Sequence, residues 1–549
     1  MRKSQIVAEL KNRVYSVDWL LLAFLVSFLN VKLVVKAVIL LLVFVLRPNF
    51  KFGFAKRNSR LPLFYLFIIG IAVLNWLVSG KLGDLNYGSV MVTGILFWLF
   101  CILAVHQIKI AVDKNGIETL HRTILVFFII NAAVSLGTYA AIIWETGAIN
   151  PYRYQGEYQK YFIGTGDYIK GISFDTSTTN AVLNVFGVLY FLLRGKYAMT
   201  ILCMAVLVLT GSNIGNLLLF GTLLFVFFFQ SRKEQKSIIV VCLLMLVTFL
   251  VKVSPQNNKY FVSAYQQLLG IKKKNDVTPA AEIRITERPD STLNADERKQ
   301  KVAQLHLDSI ARSDLERSRK NTAVAVAVQA PDPKERPVIP GDSIHTPAFQ
   351  HKDNISVSQE RLKGFVANNA NAMPLASGEI PYPSLPGKMI AFRQTFHYLR
   401  DHPQKILTGA GMGNFSSKLA FRATAMQIAG GYPARFAYIN DDFRTNHLDL
   451  FSYYFTSRDE LHSIVNSPNS TYDQLLSEYG LLGLLSFFLF YVSFFRQLIK
   501  HPSYGLPILL FMLGAFAIDY WFEQLSVVVF LELLLLVNIK ELDTISRHA

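Results

Sequence analysis

The stretch Ile214–Phe229, I-G-N-L-L-L-F-G-T-L-L-F-V-F-F-F, contains no charged residue. A membrane span takes about 20 mainly apolar residues, with a range of roughly 17–25. Val17–Leu29, Leu61–Val78 and Val90–Val105 read the same way and carry almost no charge. Around such runs the composition is unevenly spread. Over 549 residues the chain is 52% hydrophobic, 13% aromatic and 17% charged, with a mean hydropathy of +0.32. A soluble domain is about 45–50% apolar and roughly 25% charged. The apolar excess sits in the runs, whereas about 271–361 reads as ordinary soluble sequence. The class is therefore an integral membrane protein with one large polar segment.

The formal net charge is +17. On a soluble protein this would point to nucleic acid. Here the excess sits in short flanks beside apolar runs, where the positive-inside rule accounts for it, so no nucleic-acid partner is expected. Cys101, Cys203 and Cys242 lie inside apolar runs, so no disulfide framework is expected and the three read as small buried hydrophobes. Lys32 and Lys36 follow the first run, a second run follows at once, and no A-x-A-like site is present, which argues against a cleaved signal peptide.

Alternating the runs from a cytoplasmic N-terminus, marked by Arg2, Lys3, Lys11 and Arg13, puts nearly every short Lys/Arg cluster on one side. Arg47, Lys114, Arg194, Arg232, Arg496 and Lys540 all fall inside. The expectation is an all-α polytopic membrane protein with about 12 transmembrane helices, both ends cytoplasmic, and one large extracytoplasmic loop of helical and irregular structure. Residues 1–253 form an N-terminal bundle of about nine spans, 254–470 the loop, and 471–549 about three more spans. The first two runs, about 17–30 and 33–46, read as short spans or a tight helical hairpin.

Within the loop, 272–360 is a polar insert, and 322–346 reads as a flexible linker. After Pro386-Gly387 a helical pattern begins, with Met389, Phe392, Phe396 and Leu399 on one stripe and Arg393, His397 and Arg400 on another. His402-Pro403 ends it. A glycine-rich turn follows, Gly409–Phe415, G-A-G-M-G-N-F. A lone G-x-G-x-G is weak evidence for a phosphate cradle, and a tight turn closing the loop against the membrane is the favoured reading.

Two stretches carry a resemblance: Met389–Phe415, and Asn466–Leu485, N-S-P-N-S-T-Y-D-Q-L-L-S-E-Y-G-L-L-G-L-L, which runs into an apolar helix. In this order on one outer loop, the pair resembles the O-antigen ligase and O-antigen polymerase family. The resemblance covers about 385–490, with support from G-I-S-F-D-T-S-T-T-N at Gly171–Asn180. It implies a bacterial inner-membrane glycosyltransferase that takes a polyprenyl-diphosphate glycan donor, undecaprenyl in kind, and acts on a lipid A core or growing glycan acceptor at the periplasmic face. It implies metal-independent transfer with no cofactor. Lys388 stands where the family often has Arg, Phe392 at its Trp position, and Asn469 where its His is expected to assist the acceptor. Nearby His462 would substitute if the loop folds back.

The chemistry needs fixed cations for the leaving diphosphate and a polar group for the acceptor hydroxyl. Arg grips phosphate bidentately and Lys acts as a point charge. The candidate cations are Lys388, Arg393, Arg153, Lys170 and Arg422, with Arg435 and Arg444 behind them. The candidate catalytic groups are Asn469, His462 and Glu478, the last an acid entering the membrane that demands a partner. Asp519, Glu523 and Glu532 lie in or beside the last two runs, and Glu532 has no evident partner in the sequence. A polysaccharide or lipid transporter without glycosyl transfer, and a membrane receptor using the insert, are the rival classes. Ligase and polymerase share a donor and are not separated by these residues.

Overall fold

Helices form where the apolar runs lie, because in hydrocarbon every backbone N–H and C=O must be bonded within the segment. The computed structural model describes residues 17–30, 32–55, 61–146, 149, 169–253, 301, 357–379, 385–428, 430–456, 464–500 and 503–548. The first nine helices are α1 (Trp19–Phe28), α2 (Leu33–Leu46), α3 (Phe64–Val78), α4 (Leu85–Lys114), α5 (Ile117–Thr146), α6 (Ser177–Leu193), α7 (Tyr197–Leu209), α8 (Asn213–Phe229) and α9 (Lys233–Thr248). After the long polar segment come α10 (Val357–Asn368), α11 (Gly387–Asp401), α12 (Lys418–Ala423) and α13 (Asp449–Phe455). The chain finishes with α14 (Thr471–Ser486), α15 (Gly505–Ala515) and α16 (Ser526–His548). Helical turns continue α14 as far as Phe495. Strand pairing among the described residues is confined to Phe54↔Leu61 and Ala55↔Pro62.

Four of these helices, α4, α5, α9 and α14 with its extension, are long and apolar enough to cross a membrane. The remaining apolar helices are shorter. α1 has ten residues, about 15 Å of rise, and forms a hairpin with α2. The chain divides into two compact units, and the second is Arg153–Gln159 with Tyr265–Asp353. The insert expected at 272–360 falls largely in that second unit, and apart from Lys301 and 357–360 it lies outside the described residues.

At the centre of the first unit stand α6 and the first part of α16, which are buried on all sides. Thr179 to Leu192 and Ser526 to Asn538 are buried throughout. A helix hydrophobic all round belongs in the interior of a bundle. At Gly187 a side chain would meet Cys203 Sγ and Phe128 at 2.7 Å, so glycine sets how closely α6 approaches its neighbours. The three cysteines are free and buried.

Polar residues at helix ends join into two sets. At one end, Asp18 caps α1 and pairs with Arg47 at 3.0 Å and Asn115 at 2.6 Å. Lys540 donates to the carbonyls of Val112 at 2.5 Å and Asn115 at 2.6 Å at that same end. At the other end, Lys36 donates to Phe28 O at 2.6 Å and Ser526 Oγ at 3.0 Å. Asn75 there reaches the carbonyls of Thr408 at 2.8 Å and Gly409 at 3.1 Å, which ties α3 to the glycine turn.

Two expectations change in detail. α11 spans the expected stretch between Pro386 and His402, yet of its expected apolar stripe only Leu399 is buried and Phe392 half-buried. Met389 and Phe396 are 45% and 63% exposed, while Ala391, Thr395, Tyr398 and Leu399 are buried. The face that packs carries Ala391 against Leu450, Tyr453 and Tyr454, and Tyr398 and Leu399 against Ala410, Phe415 and Leu476. The run expected at 505–521 is helical only to Ala515. Beyond it the carbonyls of Phe516 and Asp519 are taken by Thr471 N and Oγ1, each at 2.8 Å, so that segment bonds across to α14 instead of along a helix.

Candidate functional site

The glycine turn is built against a break in α14. Gly480 has φ 67° and ψ −167°, a conformation only glycine adopts readily. A side chain there would meet Leu407 O at 2.3 Å. The freed backbone groups are taken up across the break. Leu481 N and Leu482 N donate to Ile406 O and Leu407 O at 2.8 and 3.1 Å. Ala410 N and Gly411 N donate to Ser477 O and Glu478 O at 2.7 and 3.1 Å. Gly409, Gly411 and Gly413 all carry positive φ, and the turn they shape directs the N–H groups of Gly413, Phe415 and Ser416 toward one point.

That point is occupied by Glu478. Its Oε2 accepts from Gly413 N at 2.8 Å, and its Oε1 accepts from Phe415 N and Ser416 N at 3.1 Å each. The turn is thus a nest of N–H groups whose acceptor carboxyl belongs to the chain itself. Glu478, a catalytic candidate by sequence, is given to backbone N–H groups in the interior.

Lys388 has a comparable fate. Its ammonium donates to the carbonyls of Asn469, of Ile518 at 2.7 Å and of Ser467 at 3.2 Å. All three protons are bound, so this lysine clasps α11, the α14 approach and the segment before α16 together instead of presenting charge to a phosphate. Burial pulls its pKa down to about 7, against the opposing pull of Asp519 and Asp473. Asn469 is partly covered, and its Nδ2 donates to Asp519 Oδ1 at 3.4 Å. Arg393 is exposed on α11, with Nε directed to His397 Nε2 at 3.2 Å. Lys170 is partly covered just before the start of α6. Arg153 and His462 lie outside the described residues.

A buried pair missed by sequence lies beside the clasp. His447 Nε2 stands 3.2 Å from Asp473 Oδ2, and both side chains are fully buried. Ser416 Oγ donates to the same oxygen at 3.3 Å and lies 3.2 Å from the Tyr520 hydroxyl. Burial depresses the His447 pKa, although Asp473 and a hydrogen bond to Ala391 O oppose it. This network joins α13's approach, the glycine turn and α14.

The cations that do converge are others. A narrow cleft at the Lys36 end of the bundle is lined by Leu33 and Lys36 from the start of α2, Phe97 from α4, Asp175, Lys418 and Arg422 from α12, Glu523 and Gln524. Lys418 and Arg422 are one turn apart and share a face of α12. Ser417 caps that helix by accepting from Ala420 N at 3.0 Å. Arg422 lies over the Phe97 ring, 5.4 Å from its centre. Lys36 spends two of its three donors on Phe28 O and Ser526 Oγ.

The acids of the cleft are unequally occupied. Glu523 accepts from Leu419 N at 2.7 Å on one oxygen and from Gln474 on the other. Asp175 accepts from Thr179 Oγ1 at 2.9 Å on Oδ2, and Oδ1 has no hydrogen bond among the described residues. The space between these groups is about 10 Å³, room for one water. A phosphate would enter only as the long basic side chains swing aside on their rotatable stems.

Of the site residues expected from sequence, Arg422 alone reaches this cleft. Lys36, Lys418 and Asp175 were not singled out. Lys36 had a usable signal, since a lone lysine inside an apolar run is costly and marks a functional position by default. Comparison with protein-family models, with curated proteins and with solved structures finds no match.

Proposed function

We propose that the chain transfers a glycan from a polyprenyl diphosphate to an acceptor hydroxyl at the outer face of a bacterial inner membrane, as an O-antigen ligase or polymerase does. In this reading the apolar helices make about 12 spans, both termini are cytoplasmic and the segment between α9 and α14 is periplasmic. The observation that carries it is the cleft. Three basic side chains from sequence-distant segments, Lys36, Lys418 and Arg422, meet two carboxylates at one end of a bundle of apolar helices. A lipid-linked diphosphate presents its charge at that depth. The sequence resemblance over about 385–490 supports the same reading.

The acceptor oxygen attacks the anomeric carbon, and the bond from that carbon to the diphosphate oxygen breaks. The bonding pair leaves with the diphosphate, where Lys418 and Arg422 stabilise the added charge. The acceptor proton passes to Asp175 Oδ1, the carboxylate oxygen without a hydrogen bond. Asn469 and Lys388 hold the shape of the outer segment, and Glu478 holds its glycine turn.

The test is gene disruption in the source bacterium, complemented with wild type, Asp175→Asn or the double change Lys418→Gln with Arg422→Gln. Surface glycan is then resolved on a gel. Bare core with polymer retained on the carrier identifies a ligase. Core bearing at most single repeats identifies a polymerase. Neither variant restores the ladder if the reading holds. An unchanged ladder in the disrupted strain refutes it.

Transport without glycosyl transfer draws on one observation. Glu532 is wholly buried along α16 and bonded by the Tyr65 hydroxyl, an acid within an apolar helix of the kind that relays protons. That reading predicts carrier-linked glycan trapped on the cytoplasmic face of the disrupted strain.

A further inference from the structure

The opposite end of the bundle holds a second and much larger cleft. On α6, Asp175 stands just before the first turn and Arg194 just after the last. Seventeen residues of helix lie between, about 26 Å of rise, close to the thickness of a bilayer's hydrocarbon. Around Arg194 the ends of α5, α6, α8, α9, α15 and α16 leave a cleft of about 990 Å³. This volume is at the upper end of ordinary small-ligand sites, roughly 300–1,000 Å³.

Its walls divide by chemistry. Arg194 is already bonded to Glu541, which also takes His121 Nε2 at 2.5 Å, so that group of charges is internally matched. Arg232 and Lys233, at the start of α9, are exposed and make no ion pair among the described residues, and Glu234 beside them is exposed as well. Gln230 and Tyr504 add polar groups, with Gln230 Nε2 anchored on Ser503 O at 2.7 Å. Ile117, Leu193, Leu542 and Ile545 give the same cleft an apolar lining, and more apolar surface is exposed in the chain beside it. Phe228 and Phe229, which lead directly into Gln230, are 69% and 77% exposed, and Ile545 on the rim is 65% exposed. A soluble anion would have no use for that apolar border, whereas a lipid has both a charged head and chains to lay against it.

We infer that this cleft binds the headgroup of an anionic phospholipid, its phosphate held by Arg232 and Lys233 and its acyl chains lying against Phe228, Phe229 and Ile545. The inference needs the chain to sit in a membrane and is independent of glycan transfer. Each surface Lys or Arg contributes about 1 kcal/mol toward anionic lipid, so removing two lowers affinity about thirtyfold.

The experiment uses the full chain, delipidated in detergent, with lipid retention read by native mass spectrometry. The probes are dioleoyl phosphatidylglycerol, dioleoyl phosphatidylcholine and glycerol phosphate. Wild type is compared with the double change Arg232→Gln and Lys233→Gln, and with Lys114→Gln, an exposed lysine at the end of α4 that does not line the cleft. Phosphatidylglycerol retained by wild type and Lys114→Gln, and held about thirtyfold more weakly by the double variant, supports the assignment. Equal retention by the double variant overturns it, as does equal retention of phosphatidylcholine. Glycerol phosphate binding as tightly as the lipid overturns the lipid source and makes the cleft a site for a soluble phosphate.

Discussion

Replacing Glu478 with glutamine tests whether that carboxylate holds the glycine turn or takes part in chemistry. Glutamine keeps one oxygen, which can still accept from Phe415 N and Ser416 N as neutral bonds. The other oxygen becomes an NH2 that faces Gly413 N–H, donor against donor, where a 2.8 Å bond stood before. Losing this bond leaves the buried Gly413 N–H without an acceptor and facing a second donor, so local stability falls by about 3 kcal/mol. At about 1.4 kcal/mol per decade this is roughly a hundredfold rise in local opening. Hydrogen–deuterium exchange followed by mass spectrometry on peptides spanning 409–417 should therefore speed up about a hundredfold. Peptides from the interior of α6 should hold their rate. On the proposed function, transfer falls with the turn. Unchanged exchange at 409–417 together with lost transfer would refute the argument and return Glu478 to the reaction.

Gly480→Ala forces a side chain into the backbone at 2.3 Å from Leu407 O at a φ of 67°, and should cost about 3 kcal/mol or more, read as loss of folded protein on size exclusion in detergent. Lys418→Gln and Arg422→Gln should each lower transfer about a hundredfold with exchange at 409–417 unchanged, since both face the cleft and not the turn. Lys388 gives a pH signature. Its folded pKa is about 7 against 10.5 for an ordinary lysine, so the unfolded chain binds the extra proton between those values and stability rises as pH increases from about 7 to 10.5. Lys388→Met should flatten that slope and loosen the junction with α14, checked by thiol-dye unfolding curves at stepped pH, which the three buried cysteines make possible.

The helices were legible because apolar runs are local signals. Where a run and a helix disagree, the cause is long-range. The 505–521 run is cut short because Thr471, remote in sequence, takes the carbonyls of Phe516 and Asp519. The site was legible only in part for the same reason. Glu478 was correctly marked as an acid needing a partner, but that partner is a set of backbone N–H groups, and backbone has no letter in the sequence. Lys388 stood at a family-like position, yet its three acceptors are carbonyls that no side-chain pattern reveals. The cleft gathers residues 36, 175, 418, 422 and 523, whose spacing follows no motif because four separate segments supply them. His447 and Asp473 escaped because an isolated histidine in a loop carries no sign of burial.

The break at Gly480 also bears on how the protein is made. The first part of α14 carries Asp473, Gln474, Ser477 and Glu478, all buried, a composition that hydrocarbon rejects when it arrives alone. The chain emerges from the ribosome in order, so residues 405–416 are made before this helix. The turn and α14 satisfy each other's backbone and carboxyl groups, so neither is complete until the other has joined it. An α14 presented as an isolated segment would lack those N–H partners, so its polar first part is matched only beside chain made some sixty residues earlier.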